Sequence, residues 1–484
     1  MTRIPAAIPR RVPPILFAAI AVAYLWTLGR PSLWLDEAWE ANYYAGYEAA
    51  PWYNRPMLYM ALIRALVRLF GPSELVLRLL PCAAALAAIA VTYRLARRAG
   101  SRGESVLACG ILALAEPFAS EAHQLKYYPF DALFAAALIL LFERWRTRPG
   151  AARLAAYALA AALSFGFSFA SIFVVAALAA VPLVLRSLPA GWRRAHLATH
   201  AALAAVFAGV FLSFHRGGAS DPMLVGYFVD AYAPWRAPWR LPLWLAQASD
   251  HLVAFQAGAS SGPAAVLLVA AGGWLLWRSE LRQVVAATAG ALILNLAASA
   301  LSMYPYGVPR LSIYAAPAIA ILAARAIAAA AAPGTSRVPR LAAAAALVLA
   351  LFGPGAASTA RRLATGFGRE DIRDMVARLA AETRPGETIL VNEDATTAFQ
   401  FYWCRAGKRY PPEGLVVAGR FREDPARHRP EVEALAAARA PVWSLLTHLP
   451  PEESDALVAM LRARFDHVDQ RVVGDARLDR WMAP

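Results

Sequence analysis

Cysteine is scarce. Cys82, Cys109 and Cys404 are the three in 484 residues, and none sits in a close-spaced motif. That excludes a disulfide framework and a thiolate metal site. Charge is scarce as well, at 17% of residues, while 59% are hydrophobic. No ordinary soluble core needs so much apolar sequence, and several segments are long enough to cross a hydrocarbon layer. No small-x-small cleavage site follows the first apolar stretch, 12–28, although Arg3, Arg10 and Arg11 precede it as in a signal peptide. The stretch reads as a retained first helix. No internal repeat is visible, and no His/Cys ligand set. The reading is of a protein without metal or cofactor.

What is present is apolar span after apolar span, bounded by arginine. The net charge is +15. Its basic residues cluster beside span ends, as at Arg94, Arg97, Arg98 and Arg102. That positive-inside pattern accounts for much of the excess without a nucleic-acid partner. Threading the spans by this rule gives about eleven, with a membrane domain over 1–352. A long outer segment, 33–73, contains an amphipathic stretch, 55–70, suited to lying in the interface, with Arg64 and Arg68 on one face. Residues 119–129 form a second outer loop, 215–262 a third, rich in Trp, Tyr and Pro, and 304–310 an outer turn. The last span, 341–352, is short.

Residues 353–367, with Pro354 and several glycines, read as a linker. The tail, 368–484, alternates helical and β-prone runs, which predicts a small α/β domain with a parallel sheet. It carries no glycine-rich phosphate loop, so a lid, brace or docking role suits it better than catalysis. The fold class is a polytopic α-helical membrane protein with a small C-terminal α/β domain.

Three outer stretches carry candidate chemistry. The first, SLWLDEAWEAN over 32–42, sets Asp36 and Glu37 side by side, with Trp34 and Trp39 placed as aromatic residues are at headgroups. A carboxylate there can serve as base for a lipid-borne substrate; capping of a helix end in water is the plainer reading. The second, SEAHQLKYYPFDAL over 120–133, brings Glu121, His123, Lys126, Tyr128 and Asp131 to the lip of two spans. Ionisable groups near hydrocarbon are costly, so the cluster needs a reason. Lys126 can hold a lipid phosphate as a point charge. Asp131 also suits a helix N-terminus, and His123 alone suits a solvated loop. The third, YPYGVPR over 304–310, adds Tyr304 and Arg310, an arginine on the side the rule disfavours. Arg310 and Lys126 together offer two cations for a phosphate. Breaking a sugar–phosphate bond needs such cations on the leaving group and a carboxylate to deprotonate the acceptor hydroxyl. Attack opposite the leaving group inverts the anomeric centre.

LDEAWEAN after the first span, the block FGPSELVLRLLP (70–81), the loop HQLKYYPFDAL (123–133) and YPYGVPR with Tyr314 and Pro317 resemble the GT-C superfamily of polytopic glycosyltransferases. Protein O-mannosyltransferases and bacterial lipid A aminoarabinose transferases are the most similar kin. The resemblance covers roughly 12–350. It implies a GT-C-like fold of the inner membrane, a polyprenyl-phosphate-linked sugar donor and an active site and tail outside the cytoplasm. It implies Asp36 as catalytic base with Glu37 beside it, and Lys126 and Arg310 on the donor phosphate. Glu121, His123, Tyr128, Asp131 and Tyr304 are further candidates for substrate binding. Two departures, at Trp39-Glu40 and at Asn54-Arg55, leave sugar and acceptor open, whether glycan, lipid or protein. The alternative function is a lipid or solute transporter or flippase, for which repeat symmetry is wanting.

Overall fold

The computed structural model describes residues 11–48, 55–215, 222–279, 281–331, 337–368 and 371–484. Arg3, Arg10 and Asn54 lie outside them. The chain falls into two compact units. One comprises Met1–Trp26, Trp52–Leu62 and Leu79–Thr365; the other comprises Thr27–Pro51, Ile63–Arg78 and Gly366–Pro484. The expected boundary before 368 therefore changes. Residues 27–51 and 63–78, assigned above to the membrane domain, pack with the tail.

The first unit is helical. Among the described residues, five helices are long and apolar enough to cross a membrane, and seven if two bent pairs each count once. Val12–Trp26, Ala151–Ser164 and Ser171–Val184 are shorter apolar helices, which the expected count of about eleven included. The most buried span is Pro309–Ala330. A Cβ at Gly272 would overlap the Leu322 carbonyl, so glycine lets the Gly262–Trp277 helix lie against it, as small residues do between membrane helices.

Two expectations fail here. The 353–367 linker is helical as far as Thr365, because Arg337–Thr365 is one helix with Pro354 inside it. Buried or membrane helices tolerate proline and glycine where neighbours satisfy the freed backbone groups. The short last span accordingly becomes the 24-residue stretch Ala342–Thr365. The outer loop 215–262 also contains a helix, Leu241–Ala257, bent 79° from Gly262–Trp277.

The second unit holds a five-stranded sheet: β1 (Thr388–Asn392), β2 (Leu415–Ala418), β3 (Val442–Leu446), β4 (Asp466–Val473) and β5 (Ala476–Met482), in the order β2-β1-β3-β5-β4. As expected, β1 pairs in parallel with β2 and β3. Ile389, Leu390 and Val391 are all buried, as a continuous apolar run should be in a parallel sheet covered on both faces. The antiparallel pair β4–β5 closes one side. Its edge strand, β4, is mostly exposed and carries charges, which protects an open edge. Leu390, Val442 and Leu446 share a core with Val432, Leu457 and Leu461. Those last three lie on the helices Arg429–Ala438 and Pro451–Arg462.

Candidate active site

The Asp36–Glu37 pair does not sit in a loop. Trp34 caps the helix Leu35–Ala45, and both carboxylates lie in its first turn, where the exposed backbone N–H groups favour negative charge. Gly46, at φ 79°, ends the helix and returns its N–H to the Asn42 and Tyr43 carbonyls. A glycine meets that left-handed cap without a Cβ penalty. Trp34 is buried beside His448, with ring centroids 6.4 Å apart. It therefore meets protein, whereas Trp39 is exposed.

The two carboxylates have different fates. Glu37 is 1% exposed and pairs with the equally buried Arg78: Nε donates to Oε1 at 2.8 Å and Nη2 to Oε2 at 2.6 Å. The remaining Arg78 donors go to the carbonyls of Leu28 (3.3 Å), Pro31 (2.8 Å) and Ser32 (2.9 Å). One guanidinium thus gathers the turn before the helix and the second residue of the pair. Asp36, half-buried, is the other residue. One turn before Arg78, buried Glu74 accepts from Arg373 (3.0 Å), Arg405 (2.7 Å) and the Tyr402 hydroxyl (3.1 Å). Tyr402 in turn accepts the Leu33 N–H at 2.7 Å. Burial lowers the pKa of Arg373, but Glu74 outweighs it and raises the guanidinium's affinity for its proton. Glu74 and Arg78 were both visible in the block 70–81, as ionisable residues four apart in an otherwise apolar run. Their partners, 41 or more residues distant, were not.

The other candidates lie in the helical unit. Asp131 is fully buried in the first turn of Tyr128–Thr147. Neither of its oxygens makes a well-formed hydrogen bond among the described residues, and its polar neighbours are the Ser168 side chain and the Ala170 backbone. The Tyr128 ring lies tilted beside that of Tyr127, with centroids 4.8 Å apart, and Arg55 lies 5.9 Å from the Tyr127 ring centre. Burial pushes the Tyr304 phenol well above its ordinary value, and Tyr127, Asp131 and Tyr128 add to the shift. Residues 127–131 and the turn 304–310 therefore converge. Tyr304 donates to the Leu311 carbonyl at 3.0 Å. Asn295 donates to Ser312 and Tyr314 beyond it.

Lys126 and Glu121 are buried. Arg310 is half-buried in the short turn Pro309–Ala315, and Gln256 holds that turn through the Pro309 carbonyl at 2.6 Å. His123 has both ring nitrogens on backbone carbonyls, Ala119 at 2.7 Å and Tyr24 at 2.8 Å. That favours a structural clasp over substrate binding. Among the described residues, no three His, Cys, Asp or Glu side chains cluster as metal ligands.

Comparison with solved structures places this architecture. The chain superposes on the ArnT of Cupriavidus metallidurans bound to undecaprenyl phosphate with a TM-score of 0.56, over 98% of each chain, at 17% identity. Its fold is that of the GT-C glycosyltransferases. The apo oligosaccharyltransferase of Archaeoglobus fulgidus aligns with 94% of this chain and 72% of its own, at 13% identity and a TM-score of 0.50. By sequence, residues 54–214 match the family of dolichyl-phosphate-mannose-protein mannosyltransferases. No curated protein matches the chain by sequence.

Proposed function

We propose that the chain is an inverting membrane glycosyltransferase. It moves a sugar from a polyprenyl-phosphate donor to an acceptor hydroxyl on the extracytoplasmic face of the plasma membrane. Support comes from the full-length likeness to a structure holding undecaprenyl phosphate. The observation that carries the residue assignment is the unequal carboxylate pair. Arg78 engages Glu37 through both oxygens, which commits Glu37 to the fold, and Asp36 in the same helical turn is assigned the role of base. In the reaction, the acceptor oxygen attacks the anomeric carbon as Asp36 takes its proton. The carbon–oxygen bond to phosphate breaks, and the departing phosphate keeps the electron pair. Lys126 and Arg310 stabilise its charge, with Tyr128, Asp131, Tyr304 and Glu121 around the donor. Glu37 is an anchor for the helix that carries Asp36.

The Lys126→Ala variant tests the donor site. Binding of undecaprenyl phosphate to the purified protein should weaken about tenfold or more, as expected for losing a charge-assisted contact. Unchanged affinity removes Lys126 from that role. A compartment reporter fused after Pro484 should read outside; a cytoplasmic signal overturns the assigned face. One observation favours a transporter instead: the bent helix pairs, at 65° and 79°, since broken helices line transport sites. Vesicle-reconstituted protein that moves lipid or solute while transferring no sugar would establish that reading.

A further inference from the structure

The carboxyl ends of β1, β2 and β3 form one edge of the C-terminal sheet. The strand order reverses at β1, with β2 on one side and β3 on the other. Open parallel sheets take ligands at such a reversal. Asp394, two residues past β1, is 1% exposed and pairs with Arg420 and, at 3.0 Å, with Arg422. Both arginines follow β2 and are nearly half exposed. One buried carboxylate between two guanidiniums leaves a net positive charge at the surface. Most of their N–H donors remain for another acceptor.

The loop that carries them is held by its backbone. Gly419 N–H donates to Glu431 at 3.0 Å and Phe421 N–H to Glu453 at 2.7 Å, with His428 hydrogen-bonded to both carboxylates. Across the reversal, Asn392 donates to the Thr447 carbonyl (2.9 Å) and accepts the Thr447 N–H (3.0 Å). The next residue, His448, has φ 58°, a left-handed conformation costly for a side chain with a Cβ. That backbone points to a constraint beyond folding.

The same edge meets the segment that bears Asp36. His448 lies against Trp34. Thr397, three residues past Asp394, donates to the Leu35 carbonyl at 3.4 Å and accepts from Asn42 at 2.8 Å. Trp34 and Leu35 immediately precede Asp36.

We infer that this edge is an acceptor subsite, in which Arg420 and Arg422 hold a phosphoryl group of the molecule that receives the sugar. The assignment to the acceptor rests on the transferase reading above. The forked guanidiniums suit a phosphoryl group's several oxygens. Asp394 pre-orients them, and the contacts through Trp34 and Leu35 bring the subsite to the start of the helix carrying the base. Phosphorylated acceptors are thereby preferred over neutral ones of the same size.

Titration of the full-length protein in nanodiscs with inorganic phosphate tests this. Arg420→Gln/Arg422→Gln should bind phosphate about tenfold or more weakly than wild type. Because that variant strands Asp394, Arg420→Lys/Arg422→Lys is measured beside it. Lysine keeps Asp394 paired but loses the planar fork. It should melt as wild type does and still bind more weakly. Equal affinity in wild type and both variants, or no phosphate binding by wild type, overturns the subsite. Phosphatidic acid added to the disc distinguishes sources: competition supports a lipid-borne phosphoryl group at these arginines, and indifference supports a soluble one. Asp36→Asn should keep wild-type phosphate affinity. No sugar transfer by the wild-type protein from any polyprenyl-phosphate donor would sink the transferase reading while leaving the binding result standing.

Discussion

Four buried carboxylates of one unit and Asp131 of the other have opposite surroundings. In the unit containing the tail, Glu37, Glu74, Asp394 and Glu387 are buried, and each is paired with one or two arginines. In the helical unit, Asp131 is as deeply buried, and its hydrogen-bonding neighbours among the described residues are neutral, the Ser168 side chain and the Ala170 backbone. A buried carboxylate with its fork of arginine donors has spent its hydrogen-bonding capacity on architecture. One left with weak neutral partners carries a cost that a purely structural residue has no reason to bear. The contrast separates carboxylates committed to arginine from one that is not, and within the adjacent pair Asp36–Glu37 it identifies Glu37 as a committed one.

The largest expected effect falls on the paired class. Arg78→Ala leaves Glu37 buried without its cation, which costs about 3–5 kcal/mol. Thermal melting in detergent should fall sharply, and a Glu37→Met/Arg78→Met double variant should recover much of the loss. A single variant that melts as wild type does would break the comparison. Tyr402→Phe comes next. It removes the donor to Glu74 and the acceptor of the Leu33 N–H, for about 1–2 kcal/mol by melting.

Glu387 gives the pH-dependent case. Burial alone would raise its pKa, but the Arg384 N–H, the Trp443 indole and Arg480 outweigh it and hold the carboxyl below its ordinary 4.5. With the folded value below the unfolded one, the unfolded chain binds more protons between them, so stability rises with pH there. The contribution is complete above about pH 4.5 and is lost as pH falls through the lower, folded value. Acidification should therefore destabilise wild type more than Glu387→Gln, measured as the slope of melting temperature against pH. Parallel slopes would remove Glu387 from the paired class. The smallest stability change is expected for Asp131→Asn, within about 1 kcal/mol, because no arginine is stranded. A large loss of melting temperature there would place Asp131 with the structural carboxylates.

The sequence pattern brought candidate residues forward and showed little of the architecture behind them. Asp36, Lys126 and Asp131 stand out because ionisable residues beside apolar spans need a reason. Arg78 lies in a run that is otherwise apolar, yet its partner Glu37 is 41 residues away, and no local period reveals such a pairing. The helix Leu241–Ala257 was hidden because its Pro242 reads as a loop signal, although proline suits the first turn of a helix. Gly353 and Pro354 misled in the opposite sense, lying inside a continuous helix. The hairpin β4–β5 escaped notice because β4 is exposed and charged, so it lacks the apolar run that announced β1 and β3.

The division between Asp36 and Glu37 is tested most directly by one rate. Sugar release from labelled undecaprenyl-phosphate donor is measured in membranes carrying the Asp36→Asn protein, with undecaprenyl phosphate binding checked in parallel. The expected result is a fall of about 10²–10⁴-fold, the range for losing a general base, with binding intact. A rate equal to wild type would show that the proton leaves by another group.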